Sequence, residues 1–98
     1  MTIEKTLNED KLVIALGGRL DTVSSPELEK ELDASLDGVK DLVLDLENLE
    51  YISSSGLRVL LKAQKVMTKQ GEMKVINVNE MIMEIFEVTG FSDILTIA

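Results

Sequence analysis

Neither cysteine nor histidine occurs anywhere in the 98 residues. Thiolate nucleophiles, disulfides and the soft-metal ligand sets built on those side chains are excluded, and so is the side chain best suited to proton transfer near neutral pH. Tryptophan is absent too, and aromatic residues make up only 3% of the chain, so the core has to be assembled from Leu, Ile, Val and Met. Basic residues are scarce: ten face 18 acidic ones, for a net charge of -8. That balance repels phosphate backbones and anionic lipid surfaces, which argues against direct binding to nucleic acid or membrane. The N-terminus, Thr2-Ile3-Glu4-Lys5, is not a basic segment leading into an apolar run, and no apolar run approaches spanning length. A soluble cytoplasmic protein is expected. An enzyme would have only serines and carboxylates to work with, no cofactor motif is visible, and no metal site is predicted, so a non-enzymatic protein is expected.

What the chain does contain is enough apolar residue, 45%, for one hydrophobic core, and too little length for two. A single domain over 1–98 follows. Its charge is unevenly placed: residues 1–50 hold 13 acidic and five basic side chains, whereas residues 51–98 hold five of each. A basic contact surface would have to come from the second half.

Short apolar runs at Ile3–Leu7, Lys11–Leu16, Leu42–Leu46, Lys74–Val78 and, more weakly, Ile94–Ile97 read as strands. Asn8-Glu9-Asp10 is a tight turn between the first two. The Leu42–Leu46 run is nearly unbroken, as in a strand covered on both faces. Helices fit the gaps. Ser24-Ser25-Pro26-Glu27 offers a capping box from Ser24 to Glu27, or an N-cap at Ser25 with Pro26 at the first helical position. Leu28, Leu32 and Leu36 then recur on one face until Gly38. Between Gly56 and Gly71, Leu57, Leu60, Leu61, Ala63 and Met67 form an apolar side, Val59 and Val66 lie at its border, and Arg58, Lys62, Lys65 and Lys69 form a basic stripe. Asn79 can cap a third helix that points Met81, Ile82, Ile85 and Phe86 inward and ends at Gly90. This alternation predicts an α/β fold: a mixed sheet of four or five strands, helices mainly on one face, and right-handed connections between the later strands.

One segment is locally odd. Tyr51-Ile52-Ser53-Ser54-Ser55-Gly56-Leu57 holds more serines than a cap requires, and it lies between a strand and an amphipathic helix. A helix N-terminus presents free N–H groups and a partial positive charge, so the cluster reads either as an ordinary serine cap or as a site where phosphate would be stabilised.

The stretch Asp45-Leu46-Glu47-Asn48-Leu49-Glu50-Tyr51-Ile52-Ser53-Ser54-Ser55-Gly56-Leu57-Arg58-Val59-Leu60 resembles the signature of anti-sigma factor antagonists, the STAS domain family. There a strand and loop lead into Asp-Ser-Ser-Gly-Leu at a helix start. Gly18-Arg19-Leu20-Asp21 is similar to the family's Gly-x-Leu-Asp segment, and Asn77-Val78 through Val88-Thr89-Gly90-Phe91 to its closing strand and helix, so the likeness runs through nearly the whole chain. The resemblance implies a STAS-like mixed sheet and a partner that is both anti-sigma factor and serine kinase. It implies phosphorylation of the serine before the glycine, here Ser55, and a phosphatase that reverses it. It places Asp21 near the acceptor, and the contact surface expected around that serine is Asp21, Ser53, Ser54, Gly56 and Leu57, with Arg58 and Lys62 added from the basic stripe. Ser53 departs from the pattern, which has Asp there. The departure leaves room for a second role, an unphosphorylated adaptor or scaffold in a transporter or signalling assembly.

Two other small acidic folds fit less well. Asp41–Leu46 resembles the phosphorylated strand of a response-regulator receiver, but Gly17-Gly18 stands where the acidic cluster would be and no lysine follows Lys74. An acyl carrier protein is all-helical, which the Val/Ile/Leu strand runs contradict. The basic stripe itself reads either as a solvated helix face or as a contact surface.

Overall fold

The computed structural model describes all 98 residues. Its elements are β1 (Thr2–Asn8), β2 (Lys11–Leu20), α1 (Ser25–Ser35), β3 (Asp41–Ile52), α2 (Ser54–Gln70), β4 (Glu72–Ile76) and α3 (Glu80–Thr89), followed by a 3-10 turn at Phe91–Asp93. The strands make one sheet in the order β1-β2-β3-β4. β1 and β2 form an antiparallel hairpin across Glu9-Asp10, with Asn8 opposite Lys11. The β2–β3 and β3–β4 pairs are parallel, which is why each needs a helical crossover, α1 and α2 respectively.

Strand alternation decides where the core lies. Leu12, Ile14 and Leu16 of β2, Leu42, Leu44 and Leu46 of β3, and Met73 and Val75 of β4 are all buried. They join Leu28, Leu32 and Leu36 from α1 and its end, Leu57, Leu60, Ala63 and Met67 of α2, and Ile82 and Phe86 of α3 in one cluster. The intervening Val13 and Ala15 are only half-buried, and Val43 lies outside the cluster between Val13 and Lys74 of the neighbouring strands. The helices thus cover one face of the sheet. The run Leu42–Leu46 is not covered on both faces, contrary to its pattern.

Several expectations change in detail. The sheet has four strands; the Ile94–Ile97 run contributes a single bridge, Ile97 to Val75. β2 continues through Gly17-Gly18 to Leu20, with register shifts against β3, and β3 continues through the polar Glu47–Tyr51 to Ile52. Val59 belongs to the core at 6% exposure, because α1 packs on that side of α2, while Leu61 is half-buried. Met81 is exposed; it precedes the buried Ile82 by one residue, roughly 100° around the helix. Ser24 sits at the N-cap of α1 but its side chain makes no capping bond, so no capping box forms. By contrast Asn79 caps α3 through the Ile82 N–H at 2.9 Å, and Gly90 ends it in the left-handed conformation.

The α2–β4 turn passes hard against the loop before β3. A Cβ on Gly71 would stand 2.0 Å from the Lys40 carbonyl oxygen, which also accepts the Glu72 N–H at 2.9 Å. Gln70 Nε2 donates to the carbonyls of Leu36 and Val39 at 2.6 and 2.7 Å, tying the end of α2 to the loop that follows α1. No helix is long and apolar enough to cross a membrane.

A one-sided core makes a prediction. Leu44→Ala should lower unfolding free energy in urea by about 2–5 kcal/mol. Val13→Thr, on the uncovered face, should stay within about 1 kcal/mol. Equal losses would mean that a second layer covers that face.

Candidate functional site

β2 and β3 end side by side, Leu20 opposite Ile52, and both chains turn there into helices. Two loops therefore meet at the carboxyl ends of parallel strands. The Ser53 N–H donates to the Leu20 carbonyl at 2.9 Å, tying the second loop to the first. Ser53 is extended, and its Oγ accepts the Gly56 N–H at 3.3 Å, so it supplies the N-cap that Asp would supply in the family pattern. Ser54 and Ser55 follow in the first turn.

Gly56 fixes how close that turn comes. A Cβ there would lie 2.8 Å from both Leu20 Cγ and Ile52 Cγ1, and 3.0 Å from the Leu20 carbonyl oxygen. Leu57 is 6% exposed and belongs to the core. Gly56 and Leu57, expected in the contact surface, are instead buried as the floor beneath it, Gly56 against Leu20 and Ile52 and Leu57 in the core. Ser54 is the exposed serine, while Ser55 is half-buried because Thr22 stands over it, with the two hydroxyl oxygens 3.5 Å apart.

Asp21 shapes the loop that carries Thr22. Its Oδ1 accepts the N–H groups of Val23 and Ser24 and the Ser24 hydroxyl, each at 3.1 Å. This is an Asx-type turn in which a side chain substitutes for a backbone acceptor. Its carboxyl is held below the ordinary Asp range, chiefly by the Ser24 N–H, with burial opposing and the Ser24 hydroxyl, Val23 N–H and Arg19 assisting. Arg19 lies 3.8 Å from Asp21 and 4.3 Å above the Tyr51 ring. Ser25 N–H donates to the Asp21 carbonyl at 2.8 Å, joining the loop to α1.

The basic stripe is divided. Lys62 reaches Glu29 at 3.3 Å and Asp33 at 3.4 Å on α1, and its pKa is raised, first by the Glu29 hydrogen bond. It is in part a tie between helices. Arg58 is exposed and has no carboxylate within 4 Å. An open notch of about 230 Å³ lies between the helix starts, bordered by Thr22, Ser25, Glu29, Ser55, Arg58 and Val59. Thr22 and Val23 were not apparent from the chain as site residues. Val23 is 88% exposed, and the available signal was a branched apolar residue in a short loop between Asp21 and a helix start.

A family model described as the STAS domain matches residues 2–98. A protein of Bordetella bronchiseptica named "Putative anti-sigma factor antagonist BtrV" is 38% identical over 100 residues, which cover all of this chain and 84% of that protein. An anti-sigma-B factor antagonist of Staphylococcus aureus is 32% identical over 97 residues, 97% of this chain and 90% of that one. The solved structure of the Bacillus cell fate determinant SpoIIAA in its phosphorylated form superposes with a TM-score of 0.77 at 18% identity, over 99% of this chain and 91% of that one.

If Ser53 is the cap, Ser53→Ala should cost about 0.5–2 kcal/mol in urea unfolding, and Ser53→Asp should restore the loss. A variant Ala that unfolds like the parent would remove the cap. The Asp21 turn carries a pH signature. Because the folded pKa is lowered, its contribution is complete above the ordinary Asp value and is lost as pH falls through the depressed one. The amide resonances of Val23 and Ser24 should therefore hold steady through the usual carboxylate range and move only in stronger acid; a midpoint at the ordinary value would contradict the turn.

Proposed function

The chain belongs to the STAS domain family, and from that premise we propose that it is an anti-sigma factor antagonist worked by partner switching. In its unphosphorylated form it binds an anti-sigma factor that is also a serine kinase, in the cytoplasm, and frees a sigma factor for transcription. Phosphorylation of Ser55 releases the complex, and a phosphatase resets it. It acts by binding and not by catalysis.

One observation carries the reading. Ser55 stands in the first turn of α2, partly open to solvent, while the residues directly after it, Gly56 and Leu57, are locked into the core. A hydroxyl there is reachable by a kinase without any unfolding. A phosphoserine carries about -1.5 to -2 charges, which suits a helix N-terminus, so the free protein tolerates the modification. At an interface fitted to a hydroxyl the same group brings bulk and a charge to desolvate. A misfit of about 2.7 kcal/mol lowers affinity about a hundredfold.

The contact surface supported by the geometry is the rim of that floor: Thr22 and Val23 from one loop, Ser54 and Ser55 from the other, and Arg58 one turn on. Asp21 and Ser53 serve it by holding their loops. Lys62 belongs to it less, since its charge is already met by α1.

Binding to the cognate anti-sigma factor should persist in Ser55→Ala, which resists release by ATP, and fall in Ser55→Asp with thermal stability near normal. Val23→Glu should weaken binding without destabilising the chain. Arg58→Glu should slow association in a salt-dependent manner, more than Lys62→Glu does. Peptide mapping after incubation with the kinase and ATP decides the acceptor. Phosphate on Ser53 or Ser54 alone would overturn the assignment, and none at all with an active kinase would put the adaptor role in its place.

A further inference from the structure

We propose that phosphorylated Ser55 is gripped by its own domain, with the Arg58 guanidinium and the Thr22 hydroxyl closing on the phosphate across the notch between α1 and α2. The inference rests on Ser55 being the acceptor, as argued above, and it concerns what the domain does with the phosphate once attached.

Three observations converge. Ser55 and Arg58 are three residues apart on α2, the spacing that brings side chains together on a helix surface, and both border the same notch. Arg58 is the only cation on that border, and it has no carboxylate partner. The other nearby cations are engaged: Arg19 lies over Tyr51, and Lys62 is bound to Glu29 and Asp33. On the opposite wall, Thr22 Oγ1 already stands 3.5 Å from Ser55 Oγ.

The surrounding charges permit the contact. Glu29 of α1 is the one carboxylate bordering the notch, and Lys62 holds it at 3.3 Å. Asp21, in the loop with Thr22, is occupied by the Val23 and Ser24 N–H groups. A planar guanidinium meets phosphate through two parallel N–H donors, a geometry no ammonium reproduces. The consequence deepens the switch. Phosphorylation adds an anion to the rim and in the same step withdraws Arg58, the free cation of that rim, so the surface offered to a partner changes by more than the phosphate alone.

The test of the clamp itself needs no kinase, and only its separation from the switch needs the partner. Phosphoserine is installed at position 55 by genetic encoding, and the phosphorus resonance is titrated in the parent, Arg58→Gln, Arg58→Lys and Thr22→Val proteins. An unengaged phosphoserine has its second pKa near about 6. The parent should titrate lower, and Arg58→Gln should move the midpoint up by about 0.15–0.4 unit, an i,i+3 ion pair converted to a pKa shift. Arg58→Lys should recover part of the shift, Thr22→Val should lose a smaller part, and added salt should shrink the difference. Alkaline phosphatase should remove phosphate from Arg58→Gln several-fold faster than from the parent. Superimposable titrations and equal removal rates would overturn the clamp while leaving the partner switch untouched. Clamping intact in a protein that still binds its anti-sigma factor when phosphorylated would overturn the switch and leave the clamp standing.

Discussion

The contact between Gly56 and the ends of β2 and β3 is the constraint on which the site depends. With a hydrogen in place of a side chain, the first turn of α2 settles onto Leu20 and Ile52 at a distance that a Cβ would violate. The Ser53 N–H can then reach the Leu20 carbonyl, and that bond couples the two loops. Thr22 meets Ser55 because of this approach. A substitution at Gly56 would lift the helix start and open the notch together. A core packing contact and a functional geometry are here the same contact, since Leu57, Val59 and Leu60 continue from it directly into the buried cluster.

Charge is arranged around that anchor by cancellation within the domain. The acidic α1 is met by Lys5 through Glu31 at 2.8 Å and by Lys62 through Glu29 and Asp33. All of these groups are well exposed, so each pair adds only about 0–1 kcal/mol. Their effect lies in direction: they orient α1 against β1 and α2 and use up cations that would otherwise face a partner. Arg58 is what remains beside the serines. The net charge of -8 thus says less about the site than the one cation left unpaired at it.

Much of this was legible in the chain, and the failures have physical causes. Element order, the Asn79 cap and the amphipathic α2 follow from periodicity and capping chemistry, which are local. The long β2 and β3 were hidden because Gly17-Gly18 and the polar Glu47-Asn48 stretch break the apolar pattern while cross-strand pairing continues across register shifts on either side of the two glycines. Leu57 is legible as part of the apolar side of α2, but its place with Gly56 in the contact surface came from proximity in sequence to the serines, which says nothing of which way a helical residue points; the contact of Gly56 with Leu20 is long-range. Lys62 looked free for the same reason, its partners lying about thirty residues away on α1. Val23 and Thr22 gave almost no signal, since a loop residue gains its role from what lies across from it.

Ser55 sits on a rigid floor, so that phosphate alters the surface and leaves the fold alone. Backbone amide spectra of the domain with serine and with phosphoserine at position 55 test it most directly. Shifts should be confined to the β2–α1 loop, Asp21–Ser24, and the first two turns of α2, with the amides of Leu44, Val75 and Phe86 unmoved. Changes spreading through β3, β4 and α3 would show that the phosphate acts by rearranging the domain, and would contradict a switch based on local charge.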